Sequence, residues 1–228
     1  MSRLVTYTFD LPDGKSLSFS VDVNRKVAAG TPPPFETPDW TRLEYHRCPH
    51  CPLAGTCSHC PPAVDAAPIL EKFSHVTSVA KVRVTVATPE RTSVKETDAQ
   101  TGLNALLGLV MATSACPIVA RLRSQALFHL PFASVEETLY RTVGDYLIKQ
   151  YFIMKDGGTP DFALTGLDAL YRDLAELNGA FFKRVQAASP RDANVNAVVF
   201  FRSLSDIVSM SLEDRLAPLR EAMDQAGS

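Results

Sequence analysis

The residues best suited to chemistry are crowded into one short stretch. Four of the five cysteines, Cys48, Cys51, Cys57 and Cys60, fall in it as two Cys-x-x-Cys pairs. Each pair can chelate an ion from a single turn, and two such turns complete the tetrahedron of thiolates that structural zinc prefers. Dithiol redox chemistry is the competing use. It wants its pair at the start of a helix that follows a strand, and Pro49, Pro52 and Pro61 argue against that context. A second pattern bears on the ligands: Cys48, Cys51, Cys60 and Cys116 are each followed by proline, whereas Cys57 precedes serine. Proline after a ligand fixes the chain and removes an amide near the sulfur, as at iron–sulfur ligands. Two sets therefore stay open, the self-contained Cys48, Cys51, Cys57 and Cys60, and a set in which Cys116 replaces Cys57 and clips the loop to the helical core. Zinc is the expected ion and an iron–sulfur cluster the alternative; His46, His50 and His59 are neighbours able to replace a thiolate.

A second constellation lies further along. Cys116-Pro117 places a cysteine where a helix is expected to open, and free amides at a helix start lower a thiol pKa. His129 is the one histidine of the helical region, and Glu136 or Glu137 could orient it, so Cys116, His129 and Glu137 form a candidate thiol-catalytic set. The plainer reading makes Cys116 a small buried hydrophobe and His129 a hydrogen-bonded core residue.

Composition limits the classes of function. In 228 residues, 46% are hydrophobic and 21% charged, enough apolar material for a sizeable core without a disulfide scaffold. The net charge of -2 gives no global drive toward nucleic acid or anionic lipid. A nucleic-acid role would have to run through the cysteine loop with Arg47, Arg83 and Arg91, and no Walker motif or RNA-stacking signature accompanies them. Residues 99–120 carry no charge, but Gln100, Asn104, Thr113, Ser114 and Pro117 make a poor membrane span, so a helix buried on most sides is expected. The first residues lack the basic and apolar regions of an export signal, which makes the cytoplasm the expected location.

The elements that must position these residues follow from periodicity. Residues 3–9 and 15–23 alternate around Pro12-Asp13-Gly14 as a β-hairpin, and residues 79–87 alternate as a third strand pairing with it. A proline-rich connector over residues 30–38 leads to Trp40, expected to pack it onto the core. Helices are expected over 64–73 and from a capping box of Thr97 and Gln100, the latter burying Leu103, Leu106, Leu107, Val110 and Met111, with Gly102 and Gly108 allowing close backbone packing. Ser134 and Glu137 cap a helix to about Met154, with Leu139, Val143, Leu147 and Ile148 inward and Glu137 paired to Arg141. Leu167, Leu170, Tyr171, Leu174, Leu177, Phe181 and Val185 mark a long amphipathic helix over 164–188. Ser189-Pro190 starts another, and a short one covers about 213–224.

The motifs Cys-Pro-x-Cys-Pro-Leu, Met111-Ala-Thr-Ser-Ala-Cys116-Pro117, Phe128-His129-Leu130-Pro131-Phe132 and Glu137-Thr138-Leu139-Tyr140-Arg141 resemble an uncharacterised bacterial family of unknown function, over nearly the whole chain. The resemblance implies a bacterial cytoplasmic protein and no particular activity. It also implies Cys48, Cys51, Cys60 and Cys116 as the recurrent cysteines, with Cys57 and His59 departing from the pattern. The expected fold is α+β: a small three-stranded antiparallel sheet with a cysteine metal loop (residues 1–95), docked on a bundle of five or six helices (96–228) as one compact unit. The expected function is a metal-stabilised interaction or regulatory adaptor with a protein partner. A thiol- or metal-dependent enzyme is the alternative.

Overall fold

Alternation of Val5, Tyr7 and Phe9 with polar neighbours sends one face of strand β1 (Leu4–Asp10) into the core, where all three are buried. In this computed structural model, which describes residues 2–33, 35–188 and 212–226, β1 pairs antiparallel with β2 (Ser16–Asp22) through the expected hairpin, and on its other edge with β3 (Lys81–Ala87). The sheet has four strands rather than three, in the order β2-β1-β3-β4. The added strand, β4 (Thr92–Asp98), reads Thr-Ser-Val-Lys-Glu-Thr-Asp, and none of it is buried. An outer strand carries no apolar alternation because neither of its faces needs to be dry, which is why its pattern is silent.

The capping box expected at Thr97 gives way for the same reason. Thr97 belongs to β4, and the Asp98 carboxylate instead accepts from the Thr101 amide at 2.9 Å. Helix α2 (Ala99–Ala112) then runs through the centre of the molecule, buried on most sides as expected. Gly102 is what lets it approach the sheet: a Cβ there would stand 2.7 Å from the Phe9 ring and 2.8 Å from Val84. Helix α1 (Pro61–Lys72) begins three residues earlier than its periodicity suggests, with Cys60 as N-cap, and packs on α2. A single core joins the valines of β3, Phe73, the leucines of α2 and the stripe of α5 (Thr165–Ala188). Trp40 packs against that core.

No α-helix opens at Pro117. A turn leads to a 3-10 turn over Val119–Leu122 and then to the short α3 (Arg123–Leu127). Helix α4 (Val135–Lys155) starts with the Ser134/Glu137 capping box as expected, but its buried residues are Thr142 and Gln150. Leu139 and Val143 are half-buried, Leu147 is exposed, and Ile148 is 59% exposed. Apolar side chains surround α4 on every side, so pattern alone cannot select its inner face. Polar anchors select it: Thr142 Oγ1 donates to Gln125 Oε1 of α3 at 3.3 Å, and Gln150 Oε1 accepts from the Asp161 amide at 2.8 Å. Arg141 donates to the carbonyls of Gln125 and Phe128 in place of the expected pair with Glu137, whose carboxylate accepts from the Ser134 amide. A last helix, α6 (Leu212–Ala226), lies against α4. The helix expected after Ser189 falls outside the described residues, and no helix among the described residues is long and apolar enough to cross a membrane.

Burial separates two apolar residues that look alike in sequence. Leu107→Ala is expected to destabilise the fold by about 2–5 kcal/mol, and Ile148→Glu to change it by no more than about 0.5 kcal/mol. Urea denaturation followed by circular dichroism checks both, and comparable losses would contradict the placement of α4.

Candidate metal centre

The cysteine loop is closed at its base by a short antiparallel bridge between Arg42 and His59. The Leu43 amide donates to Ser58 O at 2.9 Å and the Cys60 amide to Thr41 O at 2.8 Å. Within the loop, the Cys51 amide donates to Cys48 O, folding the first Cys-x-x-Cys into a tight turn. His46 enters that turn with a left-handed φ of 48°. Cys60 stands where the loop becomes α1, so its sulfur is fixed by the first turn of a helix.

Cys116 reaches the loop from the far side of the chain, and a polar clamp brings it there. Arg25 forms a two-pronged ion pair with Asp65 on the first turns of α1, and its Nε donates to Thr113 O at 3.0 Å. Arg123 donates to Arg25 O at 3.1 Å, Thr113 O at 3.0 Å and Ser114 O at 3.2 Å. The Cys116 segment is thereby held against the N-terminus of α1. Charge-assisted bonds to carbonyls suit a guanidinium, whose fork can serve several acceptors at once.

Cys48, Cys51, Cys60 and Cys116 line one cavity of about 20 Å³, together with His46, Leu43, Phe181 and Arg184. That volume admits one water-sized body. Cys57 turns away into a different cavity beside Gly30 and Pro32, where His59 also lies with its Nδ1 bonded to Ser58 Oγ at 2.9 Å. His50 is exposed. Burial pushes the Cys48 thiol up to about 12, helped by the neighbouring Cys60, Cys51 and Cys116, and pushes Cys60 up to about 11. Burial also raises Cys116, although the amides of Ile118 and Val119 bond its sulfur and favour the thiolate. Among the described residues, no group of three or more His, Cys, Asp or Glu side chains is spaced to hold an ion as placed. The four thiols share a cavity and a local field without closing into coordination geometry.

The second constellation does not assemble around Cys116. His129 Nε2 shares a 2.6 Å hydrogen bond with the hydroxyl of Tyr7, a fully buried residue of β1. Burial, with Arg141 nearby, lowers His129 to about 4, while burial raises Tyr7. Glu137 serves the α4 capping box, and the Glu136 carboxylate accepts from Ser134 Oγ at 2.7 Å. Of the arginines considered for nucleic acid, Arg47 pairs with Glu44 and Arg83 with Glu96.

Sequence reasoning misses Arg184, which is only 2% exposed and donates to the carbonyls of Trp40, Arg42 and Leu43. A signal for it existed: Arg184 follows Leu177 by seven residues and Phe181 by three, which places a charge on the apolar stripe of α5. The Arg25–Asp65 pair had no comparable signal, since its partners lie forty residues apart without shared periodicity.

The family model described as Domain of unknown function (DUF6901) matches residues 5–224, and the chain belongs to that family. No curated protein and no solved structure matches it.

Two measurements follow from these environments. An electrophilic thiol probe near neutral pH is expected to label Cys116 slowly in the folded protein, whereas rapid labelling would restore the nucleophile reading. His129 binds its proton more weakly folded, near 4, than unfolded, near 6.5, so the unfolded state gains protons first as pH falls. Stability is therefore expected to drop between about pH 6.5 and 4, by up to about 3 kcal/mol, with the slope flattened in His129→Gln. An unchanged slope in that variant would contradict it.

Proposed function

We propose that this member of a family of unknown function is a metal-stabilised interaction or regulatory adaptor, holding one structural zinc ion between Cys48, Cys51, Cys60 and Cys116. The observation that carries the reading is that these four thiols, from a loop, a helix N-cap and a distant turn, line a single small cavity while Cys57 lines another. Four thiols around one small cavity suit the tetrahedral coordination of a single ion, which favours zinc. Uptake requires the thiols to lose their protons and draw in to about 2.3 Å from the metal. The reading calls for a reducing compartment such as the bacterial cytoplasm, where thiols stay available.

Support for an interaction role comes from α4. Phe128, Tyr140, Ile148, Phe152 and Met223 line an open groove of about 940 Å³ between α4 and α6. Four of its charges are paired, Lys149 with Asp145 and Arg220 with Asp224, and Arg141 is held by the carbonyls of Gln125 and Phe128. Such a surface fits a protein partner offering apolar side chains, and it offers little to a nucleic acid.

Elemental mass spectrometry of the purified full chain is expected to give one zinc per chain. Cys116→Ser and Cys48→Ser should lose the metal together with several kcal/mol of stability, while Cys57→Ser should retain both. Zinc lost from Cys57→Ser but kept by Cys116→Ser would overturn the ligand set, and wild-type protein without stoichiometric metal would overturn the reading.

A further inference from the structure

Arg184 stands apart from the other arginines among the described residues. It lies in the last turns of α5, is 2% exposed, and lines the cavity that Cys48, Cys51, Cys60 and Cys116 share. Its hydrogen bonds all go to neutral carbonyls, with Nη1 donating to Trp40 O at 2.5 Å and Arg42 O at 2.6 Å, and Nη2 to Leu43 O at 3.2 Å. The Tyr45 ring lies 6.0 Å away and adds a weak cation–π contact. Among the described residues no carboxylate pairs with it. Carbonyl dipoles orient a buried cation but do not neutralise it, and an uncompensated buried charge is strongly destabilising. The groups beside it that can become anions are the thiols of Cys60, Cys48 and Cys51 and the phenol of Tyr45.

A divalent ion in four thiolates carries a net double negative charge, which the low-dielectric cavity would itself find costly. Each charge is thus suited to offset the other. We infer that Arg184 is the counter-charge of the thiolate-bound ion, so that filling the cavity locks the end of α5 onto the cysteine loop and emptying it loosens that contact. The inference rests on the metal reading above. It makes metal occupancy a signal: Arg184 spans from α5 to the carbonyls at residues 40, 42 and 43, so the ion's charge sets how firmly the helix end and the base of the loop hold together. The loop's own base, the Arg42–His59 bridge, adjoins the same carbonyls and should respond with it.

The test compares full-length wild type with R184M and R184K. Zinc affinity is measured by competition with a chromophoric chelator, and amide hydrogen exchange over residues 177–188 is followed with and without zinc. Outer-shell partners of metal ligands typically alter affinity about 10–100-fold. R184M is expected to bind zinc weaker by that factor, with R184K losing less. Removing zinc from wild type should speed exchange at the end of α5, whereas zinc-free R184M should exchange there more slowly than zinc-free wild type, because its unbalanced charge is gone. An arginine with a purely structural role predicts looser α5 in both states of R184M. Equal zinc affinity in R184M and wild type, or α5 exchange indifferent to zinc in wild type, would overturn the inference while leaving the metal site standing. Wild type that binds no zinc would overturn both. Should R184M fail to fold, the wild-type exchange comparison and R184K decide the matter.

Discussion

The buried Arg184 guanidinium, paired with no carboxylate among the described residues, ties the end of α5 to the base of the cysteine loop. Arg184 sits where the amphipathic face of α5 meets the base of the cysteine loop, and its two terminal nitrogens donate to the backbone carbonyls of residues 40, 42 and 43. Hydrophobic burial alone would put another leucine at that point of the stripe. The groups around it able to take negative charge are the thiols of Cys60, Cys48 and Cys51 and the phenol of Tyr45. Burial keeps the Cys48 and Cys60 thiols protonated at neutral pH. In the proposed zinc-bound state, the guanidinium and the thiolate-bound ion would offset each other's charge.

Positioning Cys116 is a separate task, done by polar rather than apolar contacts. The Arg25–Asp65 pair and the three carbonyl bonds of Arg123 hold the segment after α2 against the first turn of α1. Ion pairs of this kind are weak evidence for stability, since desolvation offsets much of their attraction. Their contribution here is register: they fix which residues of two distant segments face each other. The Tyr7–His129 bond does similar work at the other end, joining β1 to the turn before α4 with both partners held neutral.

Features with strong periodicity or local chemistry are legible in the chain. The hairpin alternates, the α5 stripe repeats every three and four residues, the Ser134/Glu137 box carries its own hydrogen bonds, and the uncharged run of α2 lies in the core. Elsewhere the signal is missing for physical reasons. β4 is an outer strand with no buried residue, so nothing in its composition marks it. The inner face of α4 is chosen by Thr142 and Gln150, which no hydrophobic count would select. At the cysteines, the four followed by proline line one cavity and Cys57 lines another. The expected helix start that would have activated Cys116 is instead a turn and a 3-10 segment, and burial outweighs its amides.

The central claim is that one divalent ion is gripped by four sulfurs drawn from three places in the chain. X-ray absorption at the zinc edge of the purified protein addresses it without relying on mutants. The account predicts a single shell of four sulfur scatterers at about 2.3 Å. A shell containing nitrogen or oxygen, or a metal–metal distance of the kind found in clusters, would contradict it.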